Sequence, residues 1–157
     1  MRALARSSSS ASAPAAFVAQ DAQQKFPLFG VPCQALIDYH QQYVSAALST
    51  TGTVMVAIPN SAKTREIIVI AGAAKNTGAK IVTITGADGP LVPLADVDLR
   101  VETFDNAGLL TPTVSRLASL VIVDILAIGT ALRRDPQQLD QIAQIKDRFM
   151  AFRSNGP

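Results

Sequence analysis

The segment at residues 58–66, IPNSAKTRE, carries the residue types that hold a phosphate group. Hydroxyls of Ser61 and Thr64, with backbone amides at the start of a helix, can donate hydrogen bonds to an anion, and the helix dipole attracts its charge. The candidate loop is completed by Asn60, Ala62 and Lys63. The alternative is that Asn60 or Ser61 only caps the next helix, as these residue types do in most proteins. The spacing leaves both interpretations open.

Few other side chains offer catalytic or metal-binding chemistry. Glu66 is the one carboxylate close to the loop, and it is either a base or an acid favoured by the helix dipole in the first turn. The chain has a single histidine, His40, and a single cysteine, Cys33. These are too few for a zinc cluster and make a Ser-His-Asp triad unfavoured. We therefore expect no metal, no cofactor and no catalytic residue.

Length and composition indicate a single domain. The 157 residues are 48% hydrophobic and 17% charged, which excludes disorder of the whole chain. A formal charge of +2 is too small to make nucleic acid or an acidic membrane the default partner. The most apolar stretch, residues 117–132, is shorter than the roughly 20 residues of a membrane span and contains Asp124, so it predicts a buried helix. A single cysteine fits a reducing cytoplasm.

Apolar periodicity predicts strands that alternate with helices. The four predicted strands lie at residues 31–37, 53–58, 80–85 and 97–101. The predicted helices lie at residues 14–29, 39–48, 63–77, 111–133 and 136–152, with Asp38 capping the second. The last helix is amphipathic, and its predicted buried positions are Leu139, Ile142, Ile145 and Phe149. This alternation predicts an α/β domain with a doubly wound parallel sheet between two helical layers.

Several stretches together resemble the sugar isomerase (SIS) domain of RpiR-type bacterial transcriptional regulators. Residues 58–66 are similar to the pattern I-S-x-S-G-x-T-x-E of that family. Residues 75–102, KNTGAKIVTITGADGPLVPLADVDLRVE, are similar to its G-A, strand, I-T and S-P-L-x-x-x-A-D pattern. Residues 18–26 (VAQDAQQKF) and 110–118 (LTPTVSRLA) are similar to the hex-regulon repressor branch. The resemblance covers about residues 17–134.

The resemblance implies a flavodoxin-like, three-layer SIS fold that binds a phosphorylated sugar or sugar acid. It implies ligand contacts for the loop at residues 60–64, and for Ser115, where the family also has Ser-Arg. It further implies a homodimer, which the apolar helix from Thr111 to Leu132 would form. In that family a separate helix-turn-helix domain binds DNA, so this chain alone is expected not to bind DNA specifically, to be cytoplasmic and to have no membrane partner.

The chain departs from the family pattern at three positions. Pro59 replaces the first serine and offers neither a hydroxyl nor an amide. Ala62 replaces the glycine, so a left-handed backbone there would carry a steric cost. The first phosphate loop of the family, G-x-G-x-S, falls on residues 11–15, where Ala15 stands at the serine and Ser12 is a nearby hydroxyl.

The N-terminal segment, residues 1–16, is expected to be a Ser/Ala-rich tail, so the first, central strand of the family's five-stranded sheet would be missing or replaced. Its composition suits a disordered tail or an organelle transit peptide. A third hypothesis is an out-of-frame reading, because GC-rich codons for residues 10–16, read two bases later, encode Gly-Val-Gly-Ala-Gly-Gly. Sequencing the DNA upstream of Met1 tests it. The SIS domain is expected at residues 17–152, followed by a tail at 153–157.

Three functions remain open at this stage. The first is an effector-sensing phosphosugar domain of a transcriptional regulator, without the DNA-binding part. The second is a sugar-phosphate isomerase, for which Glu66 would be the base. The third is a degenerate remnant that no longer binds sugar, which is favoured by Pro59, Ala62 and Ala15.

Overall fold

The computed structural model describes residues 2–5, 14–59, 62–102 and 113–154. The strands are β1 (Arg2–Ala5), β2 (Gln34–Leu36), β3 (Val54–Ile58), β4 (Lys80–Thr85) and β5 (Val97–Arg100). The helices are α1 (Pro14–Lys25), α2 (Tyr39–Ala47), α3 (Arg65–Asn76), α4 (Thr113–Ala131) and α5 (Pro136–Ser154). Short 3₁₀ helices cover Phe26–Phe29 and Val92–Leu94.

The five strands form one parallel sheet in the order β2-β1-β3-β4-β5. In the middle of the sheet Ala3 lies opposite Ala35 on β2 and opposite Val56 on β3. The doubly wound parallel sheet is therefore confirmed, with a fifth strand that the periodicity does not predict. The first strand is replaced rather than missing, and the expectation of a disordered tail is wrong for residues 2–5 and for 14–16, which begin α1.

The strand β3 shows how the sheet separates two apolar layers. Val56 and Ile58 pack on one face with buried residues of α1 and α4, such as Ala19 and Val123. The alternating residues of β3 pack on the other face with α3, and that cluster contains Met55, Ala57, Ile67, Ile70, Ala71 and Ile81. A strand buried on both faces has the continuous apolar sequence that β3 carries.

The predicted cap at the start of α2 is confirmed, and a glycine follows the end of α3. The Asp38 side chain accepts a hydrogen bond from the backbone N–H of Gln41 at 3.0 Å, so it caps α2 as expected. Gly78 follows α3 with φ of 83°, a left-handed conformation that favours glycine.

The outer face of α4 exposes a row of apolar side chains. We call it the α4 stripe; its members are exposed by 53% to 79%, and they are Val114, Leu117, Val121, Ile125, Ile128 and Leu132. The inner face is buried at Ser119, Val123 and Ala127. Within the described residues α4 is one helix that is long and apolar enough to cross a membrane by length and composition, a test that core helices also pass.

The packing of α5 differs from the expectation. Of its four predicted buried positions only Ile142 is half-buried, while Ile145 and Phe149 are 66% and 61% exposed and Leu139 is also exposed. Amphipathic spacing identifies an apolar face but not whether the same chain covers it. The helix also continues to Ser154, two residues beyond its predicted end at residue 152.

Candidate functional site

The carboxyl ends of β1 and β3 lie at the point where the chain reverses its direction across the sheet. From β1 the chain moves to β2 on one side, crosses to β3 on the other side, and continues outward to β4 and β5. In open α/β sheets a ligand crevice opens at such a switch point, outside the strand ends. The loop at residues 59–64, which leaves β3, borders this position.

Thr64, rather than Asn60 or Ser61, is the N-cap residue of α3. Its backbone is extended, with φ of −66° and ψ of 108°, and its carbonyl oxygen accepts a hydrogen bond from the N–H of Ile68 at 3.1 Å. Asn60 and Ser61, for which the capping alternative was predicted, lie outside the described residues. The Thr64 side chain makes no capping hydrogen bond to α3, and the first amides of any helix lack partners within it. Thr64 and the first turn of α3 thus lie where β3 ends.

Ala62 lies inside the protein. Its exposed fraction is 0%, and it belongs to the apolar cluster on the α3 side of the sheet. Among the described residues only glycines have a positive φ, so the steric cost expected for a left-handed Ala62 does not arise. Pro59 is also buried, whereas Lys63 is exposed and Thr64 is half-buried.

The loop after β4 packs directly against Ala62. The carbonyl oxygen of Ala62 accepts a hydrogen bond from the N–H of Leu91 at 3.2 Å. A Cβ atom on Gly89 would lie 2.8 Å from the carbonyl oxygen of Ala62, and one on Gly86 would lie 2.5 Å from the carbonyl oxygen of Val101. Only glycine therefore fits at these two positions, and the two loops are packed as one unit.

Charged side chains hold the same loop to β5. Arg100 forms an ion pair with Asp88, and its Nε donates to Asp98 Oδ2 at 2.7 Å. Asp98 also accepts a hydrogen bond from the buried Thr83 hydroxyl. The hydrogen bond from Arg100 holds the pKa of Asp88 below its ordinary value, and Asp88 in turn raises the pKa of Arg100. The sequence alone does not predict this network, although alternating Asp98 and Arg100 on an edge strand was a usable signal.

The other predicted residues are distributed as follows. Asn60, Ser61 and Ser12 lie outside the described residues. Ser115 is half-buried in the first turn of α4, where its carbonyl oxygen accepts a hydrogen bond from the Ser119 hydroxyl at 2.8 Å. The predicted site residues that the structure describes in the β3–α3 loop are Ala62, Lys63 and Thr64.

The remaining chemistry-bearing side chains lie on α2, on α3 and before β2. Glu66 is exposed in the first turn of α3, and His40 is exposed in the first turn of α2. Cys33 is half-buried and packs against the apolar cluster on the α1 and α4 side. The carboxylate and the imidazole thus lie on two different helices.

Comparison with known proteins identifies the family. The SIS domain profile matches residues 11–129. The chain belongs to the SIS domain family. It is 39% identical over 117 residues to the bifunctional protein glk of Burkholderia thailandensis, covering 74% of this chain and 18% of that protein. It is 31% identical over 138 residues to the HTH-type transcriptional regulator HexR of Pseudomonas aeruginosa, covering 88% of this chain and 48% of the regulator.

Structural comparison supports the same fold. The NanR protein of Vibrio vulnificus, solved in complex with ManNAc-6P, superposes with a TM-score of 0.78 at 20% identity, covering 96% of this chain and 55% of that chain. The resemblance to RpiR-type SIS domains and to the hex-regulon branch is confirmed. This SIS domain spans less than half the length of the two curated relatives described above.

The departures of this SIS domain from the family pattern are accommodated inside its core. Ala15, at the serine position of the first loop, is buried in α1 against the sheet. Ala62, at the glycine position, is buried under Gly89. Neither methyl group projects into solvent. Relative to the family pattern, alanine at residue 15 removes a hydroxyl and alanine at residue 62 removes backbone freedom, and neither adds bulk at the surface.

Proposed function

We propose that this SIS domain binds a phosphorylated sugar or sugar acid and senses it as the effector domain of an RpiR-type transcriptional regulator, apart from the DNA-binding helix-turn-helix. The observation that carries this proposal is the β3–α3 loop at the switch point. There Thr64 and the first amides of α3 are the hydrogen-bond donors, and exposed Lys63 adds positive charge. The ManNAc-6P found in NanR supports a sugar phosphate as the ligand class.

The proposal includes the expected contacts of Asn60, Ser61 and Thr64 with the phosphate group. In this arrangement Ala62 contributes no side-chain contact, because its methyl group is buried. Its role is to hold the loop against the wall formed by Gly89 and Leu91. Ser115, in the first turn of α4, and Ser12 are the other hydroxyl-bearing residues that the proposal includes.

Calorimetric titration with 6-phosphogluconate tests the proposal. We expect micromolar binding by the wild-type chain and none with gluconate, because the phosphate supplies the charge that the loop recognises. No detectable heat of binding with millimolar 6-phosphogluconate or with millimolar ManNAc-6P would favour the degenerate remnant instead.

A matched pair of threonine variants locates the site. Thr64→Val removes the hydroxyl at the start of α3 and should weaken binding by about tenfold or more, since a hydrogen bond to a charged group contributes roughly 1.5–3 kcal/mol. Thr50→Val makes the same change near the amino end of β3, whereas Thr64 follows the carboxyl end of that strand. This control variant should leave the affinity for the ligand unchanged. Equal losses in both variants would exclude the β3–α3 loop as the site.

The isomerase alternative predicts turnover of aldose or ketose phosphates. Glu66 is the carboxylate nearest the loop in sequence, yet it is exposed, and a general base must reach the proton that it removes. We expect no turnover by the wild-type chain. Turnover that Glu66→Gln abolishes would make this domain an enzyme.

We further propose that the domain is cytoplasmic and forms a homodimer through the helix from Thr111 to Leu132. The exposed α4 stripe supports an association, because large apolar patches are seldom left in water. A near-neutral charge of +2 supports the absence of specific DNA binding by this chain alone. Light scattering at tens of micromolar should report a dimer, and a gel-shift assay with operator DNA should report no specific complex.

A further inference from the structure

The helix α4 begins at the edge of the sheet where the candidate ligand site lies. Asp124, in the middle of α4, forms an ion pair with Lys25, the last residue of α1. Arg134, which follows α4, donates hydrogen bonds to the carbonyl oxygens of Phe29 and Gly30, which follow α1. The two helices therefore run in the same direction. Because α1 connects the carboxyl end of β1 to the amino end of the parallel strand β2, both helices begin beside the carboxyl ends of the strands.

Arg116 projects from the inner face of α4, in its first turn. At 3.6 residues per turn it lies about 20° around the helix from Val123 and from Ala127, on either side of it. Both of these residues are 2% exposed and belong to the apolar cluster that packs on the sheet. Arg116 therefore lies opposite the α4 stripe, about 10 Å along the helix from Val123 toward the carboxyl ends of the strands.

Arg116 is a half-buried cation that no described residue pairs with. Three basic side chains of the described residues are half-buried: Lys25, Arg116 and Arg134. Lys25 forms ion pairs and Arg134 donates to backbone carbonyl oxygens, whereas within the same part of the chain Arg116 makes neither kind of contact.

The position of Arg116 is unfavourable in the absence of an anion. A guanidinium group carries five N–H donors, and burying such donors without partners costs free energy. A helix dipole also favours negative rather than positive charge in the first turn of a helix. A bound anion would offset both costs, and a carboxylate matches the guanidinium with two parallel hydrogen bonds.

The two helices that begin at the candidate site cover opposite faces of the sheet. The helix α3, which Thr64 precedes, packs on the face that contains Met55 and Ala57, and α4 packs on the face that contains Val56 and Ile58. A ligand that lies across the strand ends would thus have the β3–α3 loop at one of its ends and the first turn of α4 at the other.

We propose that Arg116 is the specificity-determining residue of this site, which binds an acid group at the end of the ligand remote from the phosphate. The inference rests on the sugar-phosphate binding proposed above, and it adds which ligands are selected and by which side chain. In 6-phosphogluconate a carboxylate and a phosphate stand at opposite ends of one open chain. Glucose 6-phosphate carries the same phosphate but no second charge, so it offers Arg116 no ionic partner.

Calorimetric titration of these two ligands tests the inference. Wild type should bind 6-phosphogluconate about tenfold more tightly than glucose 6-phosphate, because only the acid pairs with Arg116. Arg116→Met should remove this preference by weakening the binding of 6-phosphogluconate alone, and Arg116→Lys, which keeps the charge, should recover part of it. Thr64→Val should instead weaken both ligands alike, since both carry the phosphate.

Arg133→Met is the matched control on the same side of the molecule. It removes an exposed arginine just beyond the other end of α4, whose Nη1 donates to the carbonyl oxygen of Gly129 at 3.0 Å, and it should change neither affinity. The Tm of Arg116→Met should stay within about 2 °C of wild type, since no described residue loses a partner. A larger fall in Tm with unchanged affinities would show that Arg116 acts in the fold alone, and would overturn the inference.

The pattern across the two ligands separates this inference from the proposal on which it rests. If Arg116→Met weakened both ligands equally, or neither, the inference would be wrong while binding of a sugar phosphate stood. A wild type that binds both ligands with equal affinity would have the same meaning. A wild type that binds neither ligand would overturn the sugar-phosphate proposal, and the role of Arg116 with it.

Discussion

Gly89 touches Ala62 so closely that a Cβ atom on the glycine would lie 2.9 Å from the Ala62 Cβ and 2.8 Å from its carbonyl oxygen. The two residues join the loop after β4 to the loop after β3. Because the second loop is the candidate anion site, the first loop sets its position. This contact makes the shape of the site depend on a residue that has no side chain.

Gly89→Ala should therefore destabilise the fold and weaken ligand binding together. Overpacking of a filled core costs about 1–3 kcal/mol, and the displaced Ala62 carries the β3–α3 loop with it. Urea unfolding and titration with 6-phosphogluconate measure the two effects. Gly72→Ala, inside α3 with nothing within 4 Å of the added Cβ, is the control and should stabilise the fold by roughly 0.5–1 kcal/mol. If Gly89→Ala and Gly72→Ala changed the free energy of unfolding and the affinity equally, the contact between Gly89 and Ala62 would not determine the position of the loop.

Restoring the family residues in the loop should affect binding and stability in opposite directions. Pro59→Ser returns a hydroxyl and an amide, and Ala62→Gly returns backbone freedom, so the affinity for 6-phosphogluconate should rise. Ala62→Gly also removes a fully buried methyl group, so the free energy of unfolding should fall by about 1 kcal/mol. Calorimetry and urea titration test the two outcomes; unchanged affinity in the double variant would mean that the loop is not the limiting part.

The pair formed by Asp88 and Arg100 should stabilise the fold in a pH-dependent way. Arg100 lowers the pKa of Asp88 in the folded state, so this contribution is present above the ordinary aspartate value of about 3.9 and is lost as pH falls through the lower folded value. Wild type should thus exceed Arg100→Met in stability at pH 7, and the difference should shrink toward pH 3. Urea unfolding at several pH values measures it, and 1 M NaCl should shrink the difference at pH 7 as well.

Removal of α5 should leave the rest of the domain folded. Its apolar side chains are mostly exposed, and the helix is joined to the body through Arg134, whose Nε and Nη2 donate to the carbonyl oxygens of Phe29 and Gly30 at 2.9 and 3.1 Å. A chain that ends after Asp135 retains these bonds, and its Tm should fall by no more than about 4 °C. Loss of the cooperative thermal transition would show instead that α5 belongs to the core.

Most of the sheet could be predicted from local signals. The apolar run of β3, the cap at Asp38 and the left-handed Gly78 each depend on neighbouring residues only. The strand β1 could not, because Arg2–Ala5 has none of the β-branched or aromatic residues that favour strands. Its position depends on pairing with β2 and β3, which lie much later in the chain.

The candidate site was predictable in part. The residue types of the β3–α3 loop indicate an anion site, but the start of α3 at Arg65 depends on tertiary packing, so Thr64 rather than Asn60 or Ser61 is the N-cap. The contact of Gly89 with Ala62 joins segments from two strand ends, and no local pattern reports such a distance. The exposure of the apolar side chains of α5 could not be predicted for a related reason. Periodicity identifies the apolar face of a helix but not whether another segment packs on it.

The earliest strand of the chain occupies the middle of the sheet. Arg2 pairs with Gln34 on one side and with Met55 on the other, so both neighbours are synthesised after it. A chain emerging from the ribosome can pair this segment with β2 first, but its ladder with β3 must wait until β3 has followed. Ladders between such distant segments close slowly, because the intervening chain loses much entropy when its ends meet. The central ladder between β1 and β3 therefore cannot close until about fifty further residues have been synthesised.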